Sequence, residues 1–86
     1  MEIADDTDLG RLLLKKLHTV GCGGTRHTSE RNLPKVFPPH VRKRVLEIAE
    51  KFRTEGLLVK RPSSHEYQWY LNWNRKQEIE ERIIGR

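Results

Sequence analysis

Residues 38–56, PPHVRKRVLEIAEKFRTEG, constrain this chain more than any other stretch. Val41, Val45, Ile48, Ala49 and Phe52 recur at three- and four-residue intervals, so a helix gathers all five on one stripe. The opposite face is charged, with Arg42, Lys43, Glu47, Glu50 and Arg53. Both ends are marked. Pro38 and Pro39 have the fixed φ of a first turn, and Gly56 can take the left-handed conformation past the last one. The first exposed turn reads His40, Arg42, Lys43, Arg44, cations placed where the helix macrodipole disfavours them. The helix gains nothing from that placement. It points to an external anion, and phosphate is the plainest one.

A chain of 86 residues has room for one modest core and none for a two-domain enzyme, so residues 1–86 read as a single domain. The formal net charge is +5, divided as −1 over residues 1–24, +6 over 25–61 and 0 over 62–86. The excess therefore lies in the middle third, and it bears on partners, not on fold. The one cysteine excludes an intramolecular disulfide. The N-terminus MEIADDTD is acidic where a secretory leader is basic, and the longest apolar run, residues 12–14, is far too short to cross a membrane. These features set the expectation of a soluble, cytoplasmic protein with no membrane partner.

Residues 1–6 read as a frayed end. Asp6 or Thr7 caps a first helix in which Leu9, Leu13, Leu17 and Val20 share a stripe, widened on both sides by Leu12 and Leu14. Gly21, Gly23 and Gly24 end it. Gly10, inside its first turn, costs up to about 1 kcal/mol against alanine and marks a close approach, expected to be to another backbone. Residues 25–28 are polar and β-tolerant, enough for a stub of edge strand. Thr28 or Ser29 then caps a brief second helix, with Arg31, Asn32 and Leu33 inside it before Pro34 intervenes. Phe37 is expected as a buried wedge between the second and third helices. Two helices joined by a few residues, the second longer and basic, make a helix-turn-helix arrangement.

Beyond Gly56 the period changes to two. Leu57, Leu58 and Val59 run into Lys60 and Arg61 as one strand, and residues 67–71 return as another, with Tyr67, Trp69 and Leu71 on a shared face. An isolated hairpin is marginal in water, so this one must lie on the helices. Asn74 and Gln77 form a capping-box pattern opening a last helix over 74–84, in which Ile79 and Ile83 stand one turn apart. That edge either packs back on the first helix beside Leu12 or Leu14, or makes a homodimer contact.

The order helix, strand stub, short helix, basic helix, hairpin over about residues 7–72 resembles the winged helix-turn-helix family, and GGTRHTSERNLPKVFPPHVRKRV with EGLLVKRPSS is similar to small archaeal winged-helix proteins. The resemblance implies an α+β fold with a three-helix core, a two-stranded wing, room for a short third strand and an extra C-terminal helix. It implies double-stranded DNA as partner, bound by a transcriptional regulator or chromatin-type accessory protein, in a sequence-dependent or general manner. Helix 39–54 would lie in the major groove, with His40, Arg42, Lys43 and Arg44 at its reading end. The wing, residues 60–66, would touch the backbone or minor groove through Lys60, Arg61, Ser63, Ser64 and His65. Flanking helices in such proteins often pair, which would make Ile79 and Ile83 a dimer contact. Glu47 and Glu50 depart from the pattern, because they would repel phosphates. The alternative is an RNA- or protein-docking module of the same fold.

Other chemistry has less support. The Arg42–Arg44 turn also reads as a solvated helix face, with Arg44 free to pair with Glu47 or Glu30 instead. His18, Cys22, His27 and His40 lack the Cys-x-x-Cys pairing of a structural zinc site, and GCGG lacks the Gly-Lys-Ser/Thr of a phosphate loop. Tyr67, Trp69, Tyr70 and Trp73 are aromatics of the kind that stack on bases, although alternation along a hairpin more often marks a core face. No carboxylate pair or triad makes an active site. The expectation is no enzyme, no metal and no cofactor.

Overall fold

A computed structural model describes residues 6–21 and 27–85. It is an α+β structure: helix α1 (Asp6–Thr19), strand β1 (Thr28–Ser29), 3-10 turns over Leu33–Val36 and Pro39–Val41, helix α2 (Arg42–Glu55), strands β2 (Leu58–Pro62) and β3 (Tyr67–Leu71), a 3-10 turn Trp73–Arg75, and helix α3 (Lys76–Ile84). The strands form an antiparallel sheet in the order β1-β3-β2. The strand stub expected at 25–28 is seen at Thr28–Ser29, opposite Trp69 and Gln68. Of the end expected to fray, residues 1–5 lie outside the described residues and Asp6 opens α1; the glycine stop beyond Gly21, Cys22, and residues 25 and 26 also lie outside the described residues.

The apolar stripe of α2 behaves as its spacing requires. Val41, Val45, Ile48, Ala49 and Phe52 are all buried, against Leu9, Leu13, Leu14 and Leu17 of α1 and against Trp69 and Leu71 of β3. Phe37 is buried as expected, with Lys16 of α1 and Arg42 of α2 beside it. Gly56 closes α2 at φ +87°. Its N–H donates to Arg53 O while Leu57 N–H donates to Phe52 O at 2.9 Å, the paired bonds that satisfy the last carbonyls. Leu57 is thereby held in the cap, so β2 begins one residue later than the alternation suggests and runs to Pro62.

Three local expectations are corrected. The second helix does not start at Arg31. Ser29 Oγ accepts from Asn32 N–H at 3.2 Å and closes a tight turn, after which Leu33–Val36 forms a single 3-10 turn with Pro34 at its start, where the missing N–H costs nothing. Among the described residues the α-helices therefore number three, with α3 as the third, instead of three plus an extra. The Asn74–Gln77 capping box does not form. Asn72 takes that role: its Oδ1 accepts from Asn74 N–H at 3.2 Å and its Nδ2 donates to Gly56 O at 2.8 Å, so the turn into α3 is tied to the end of α2. Gly10 approaches a side chain, not a backbone, because a Cβ there would lie 2.8 Å from Phe52 Cζ.

The dimer contact is corrected as well. Ile79 is fully buried and Ile83 packs partly buried against the core, so α3 lies back on α1, the first of the two readings of that edge. Arg82 bonds Glu55 at 2.9 Å and fastens α3 to α2.

Two expectations follow for stability. Ile79→Ala leaves a cavity in a closed core and should cost about 2–5 kcal/mol, read from the urea midpoint. Gly10→Val drives a branched side chain into the Phe52 ring and should cost about 1–3 kcal/mol, most of it recovered when Phe52→Leu is added.

Candidate nucleic-acid interface

The N-terminal end of α2 divides its four basic residues. Arg44 donates through Nε to Asp6 Oδ1 at 3.0 Å, with Nη2 on the same oxygen, so it pairs with neither Glu47 nor Glu30 and its charge is compensated from α1. Arg42 reaches backward: Nε donates to Phe37 O at 3.0 Å and Nη2 to Lys35 O at 3.4 Å. Those acceptors are neutral carbonyls, so Arg42 braces the turn before the helix and keeps its positive charge. His40 and Lys43 are exposed, and neither is in an ion pair among the described residues.

Two further cations belong to this surface. Lys16 Nζ of α1 lies 5.7 Å from the centre of the Phe37 ring, and Lys35 is exposed in the turn that Arg42 clasps. Neither is in an ion pair among the described residues. Lys16, Lys35 and Arg42 thus come from three elements to Phe37 and the turn that holds it, with His40 and Lys43 exposed next to Arg42 in the chain. Sequence reasoning placed Phe37 as the wedge but missed Lys16 and Lys35, because no spacing rule tells which lysine of one helix faces a residue some twenty positions later.

The wing is divided too. Lys60, expected at phosphate, is turned inward with its side chain 19% exposed, bonded to Glu50 at 2.6 Å and Glu30 at 3.3 Å. Glu30 also accepts from the indole N–H of buried Trp69 at 3.1 Å, and Glu50 accepts from Arg53 at 2.7 Å. The reason for this correction is the register. Lys60 stands opposite Trp69, on the sheet face turned to α2, whereas Arg61 stands opposite Gln68 on the other face. Arg61, Ser63, Ser64 and His65 are exposed, and the tip is closed by Ser63 N–H on Glu66 O at 2.7 Å. From the cap at Phe52, β2 runs back along α2 as far as Glu50, where Lys60 reaches it. Of the two acids expected to repel phosphate, Glu50 is compensated by Lys60 and Arg53, and Glu47 remains exposed without an ion pair among the described residues.

Between α1, α2 and α3 lies a groove of about 530 Å³ with Arg11, Lys51 and the Asp6–Arg44 pair on its rim. Among the described residues no three His, Cys, Asp or Glu side chains gather as a metal set, and no helix is long and apolar enough to cross a membrane.

The Lys60 hydrogen bond, and Arg53 after it, hold the Glu50 carboxyl below its usual 4.5 against the opposing effect of burial. Glu50 in turn holds the Lys60 ammonium above its usual 10.5, with Glu30 adding to it and burial opposing. The Glu50 contribution to stability is therefore complete above pH 4.5 and is lost as pH falls through the depressed value. The Lys60 contribution is complete below 10.5 and is lost as pH rises through the raised one. Thermal melts over a pH series should show a shallower acid fall for Glu50→Gln than for the unmodified chain, with its midpoint already lower at neutral pH.

No protein-family model matches the chain, and neither the curated proteins nor the solved structures include a match to it.

Proposed function

We propose that the chain is a winged-helix-like module that binds duplex DNA chiefly through the phosphate backbone. The observation that carries the reading is the basic surface around Phe37, where Lys16, Lys35 and Arg42, with His40 and Lys43 exposed beside Arg42 in the chain, have no carboxylate partner among the described residues. Elsewhere on the fold, Arg44, Arg53, Lys60, Arg75 and Arg82 each have an acidic partner. Basic residues gathered in one place without carboxylate partners suit an external polyanion.

The exposed tip of β2–β3, with Arg61, Ser63, Ser64 and His65, supplies a second contact. The outward face of α2 offers Lys43 and Glu47 but no fork of arginines, since Arg42 and Arg44 are both engaged. That favours general binding over base reading, in which a bidentate arginine on guanine is the commonest specific contact.

Titration of a labelled duplex by fluorescence anisotropy over a salt series tests this. Binding should weaken as salt rises, with each lost phosphate contact reducing the logarithmic slope by about 0.9. Lys35→Ala, Lys43→Ala and Arg61→Ala should each lower the slope, whereas Arg44→Ala should leave it unchanged. Affinity indifferent to salt and to Lys43→Ala would remove the proposal in favour of protein docking.

A further inference from the structure

Two aromatic rings of the hairpin lie outside the core: Tyr70, half-buried and edge-on to His27 on one face, and Tyr67 on the other. Tyr67, Trp69 and Leu71 share the face of β3 that looks toward α2. Trp69 and Leu71 are fully buried, whereas Tyr67, opposite Pro62 and next to the tip, is 45% exposed. The ring is nevertheless held. Its backbone carbonyl accepts from Glu30 N–H at 2.9 Å, and the Lys60 ammonium sits over the ring 4.3 Å from its centre. That ammonium is itself fixed between Glu50 and Glu30. One side of the ring thus rests on an immobilised cation, and the ring lies on the α2-facing side of the sheet next to the exposed tip.

We infer that Tyr67 is a stacking platform for an unpaired nucleobase, so that the DNA best suited to this surface is a duplex that ends in a single-stranded extension. The inference rests on the DNA reading above and adds the form of DNA to it. Inside a continuous duplex both faces of each base are covered by its neighbours, and a protein ring can stack only where that column stops. Aromatic stacking beside cations that follow the backbone is the general means by which proteins hold single strands, and it is indifferent to base identity. Preorganisation adds to it, because a ring already fixed by Lys60 loses little freedom when a base arrives. Trp73, comparably exposed at 44%, stands at the other end of β3 against His18 and Lys76, away from the wing.

The test compares a short blunt duplex with the same duplex bearing a single-stranded extension, at one salt concentration, for the unmodified chain, Tyr67→Phe and Tyr67→Ala. The unmodified chain should favour the extended duplex by about 5-fold or more. Tyr67→Phe should keep that preference. Tyr67→Ala should abolish it while leaving blunt-duplex affinity, salt slope and urea midpoint unchanged. A 2-aminopurine at the first unpaired position should lose fluorescence on binding the unmodified chain and not on binding Tyr67→Ala. Equal affinity for the two duplexes, or a preference that survives Tyr67→Ala, overturns the inference while salt-dependent blunt-duplex binding stands. Failure to bind either duplex removes the DNA reading and the inference together.

Discussion

A single ammonium group ties the sheet to the helix on which it lies. Lys60 reaches from β2 to Glu50 on α2 and to Glu30 in the turn after β1, and Glu30 also receives the indole N–H of Trp69. Trp69 occupies the middle of the central strand and is fully buried, so its N–H needs an acceptor within the protein. Glu30 supplies it, and a carboxylate brought that far in needs a cation near it. The chain of requirements runs from a large apolar ring to a charged network, and it fixes the register of the hairpin against α2. A slip of one residue would turn Trp69 outward and Lys60 away from both carboxylates together.

The helical side is fixed by fit more than by charge. Gly10 leaves space beside α1 that the edge of the Phe52 ring fills, which sets how closely α1 and α2 approach. Ile79 closes the remaining side, and α3 is delivered there by Asn72, which bonds at once to the end of α2 and to the first turn leading into α3. Ion pairs decorate this packing. Asp6–Arg44 and Glu55–Arg82 join the helices at exposed or half-exposed positions, where such pairs contribute at most about 1 kcal/mol each.

What could be read from the sequence is what depends on period and on punctuation. The stripe of α2, that of α1 as far as Leu17 though not to exposed Val20, the left-handed stop at Gly56, the strand at 67–71 and the burial of Phe37 and Trp69 all follow from spacing and residue type. What could not be read depends on partners distant in sequence. Lys60 and Arg61 are adjacent and alike in charge, yet the pleat sends one to two carboxylates and the other to solvent, and a shift of one residue would exchange them. Arg44 looks equally free until Asp6, 38 positions earlier, is brought beside it by packing. The 3-10 turn at Leu33–Val36 failed for a local reason: Ser29 and Pro34 each read as a helix boundary, and together they leave room for one turn only.

The same accounting separates two kinds of charge in the molecule. Lys60 and Glu50 lie where the protein covers part of the pair, so dissolved salt screens their attraction weakly. Lys35, Lys43 and Arg61 lie in solvent, where a Debye length of about 8 Å at physiological ionic strength governs them. The partly covered set therefore serves the fold, and any attraction for a polyanion rests on the open one. The arrangement lets Tyr67 take part in both. Its inner face leans on a cation that salt does not easily release, and its outer face is presented to whatever the open cations draw in.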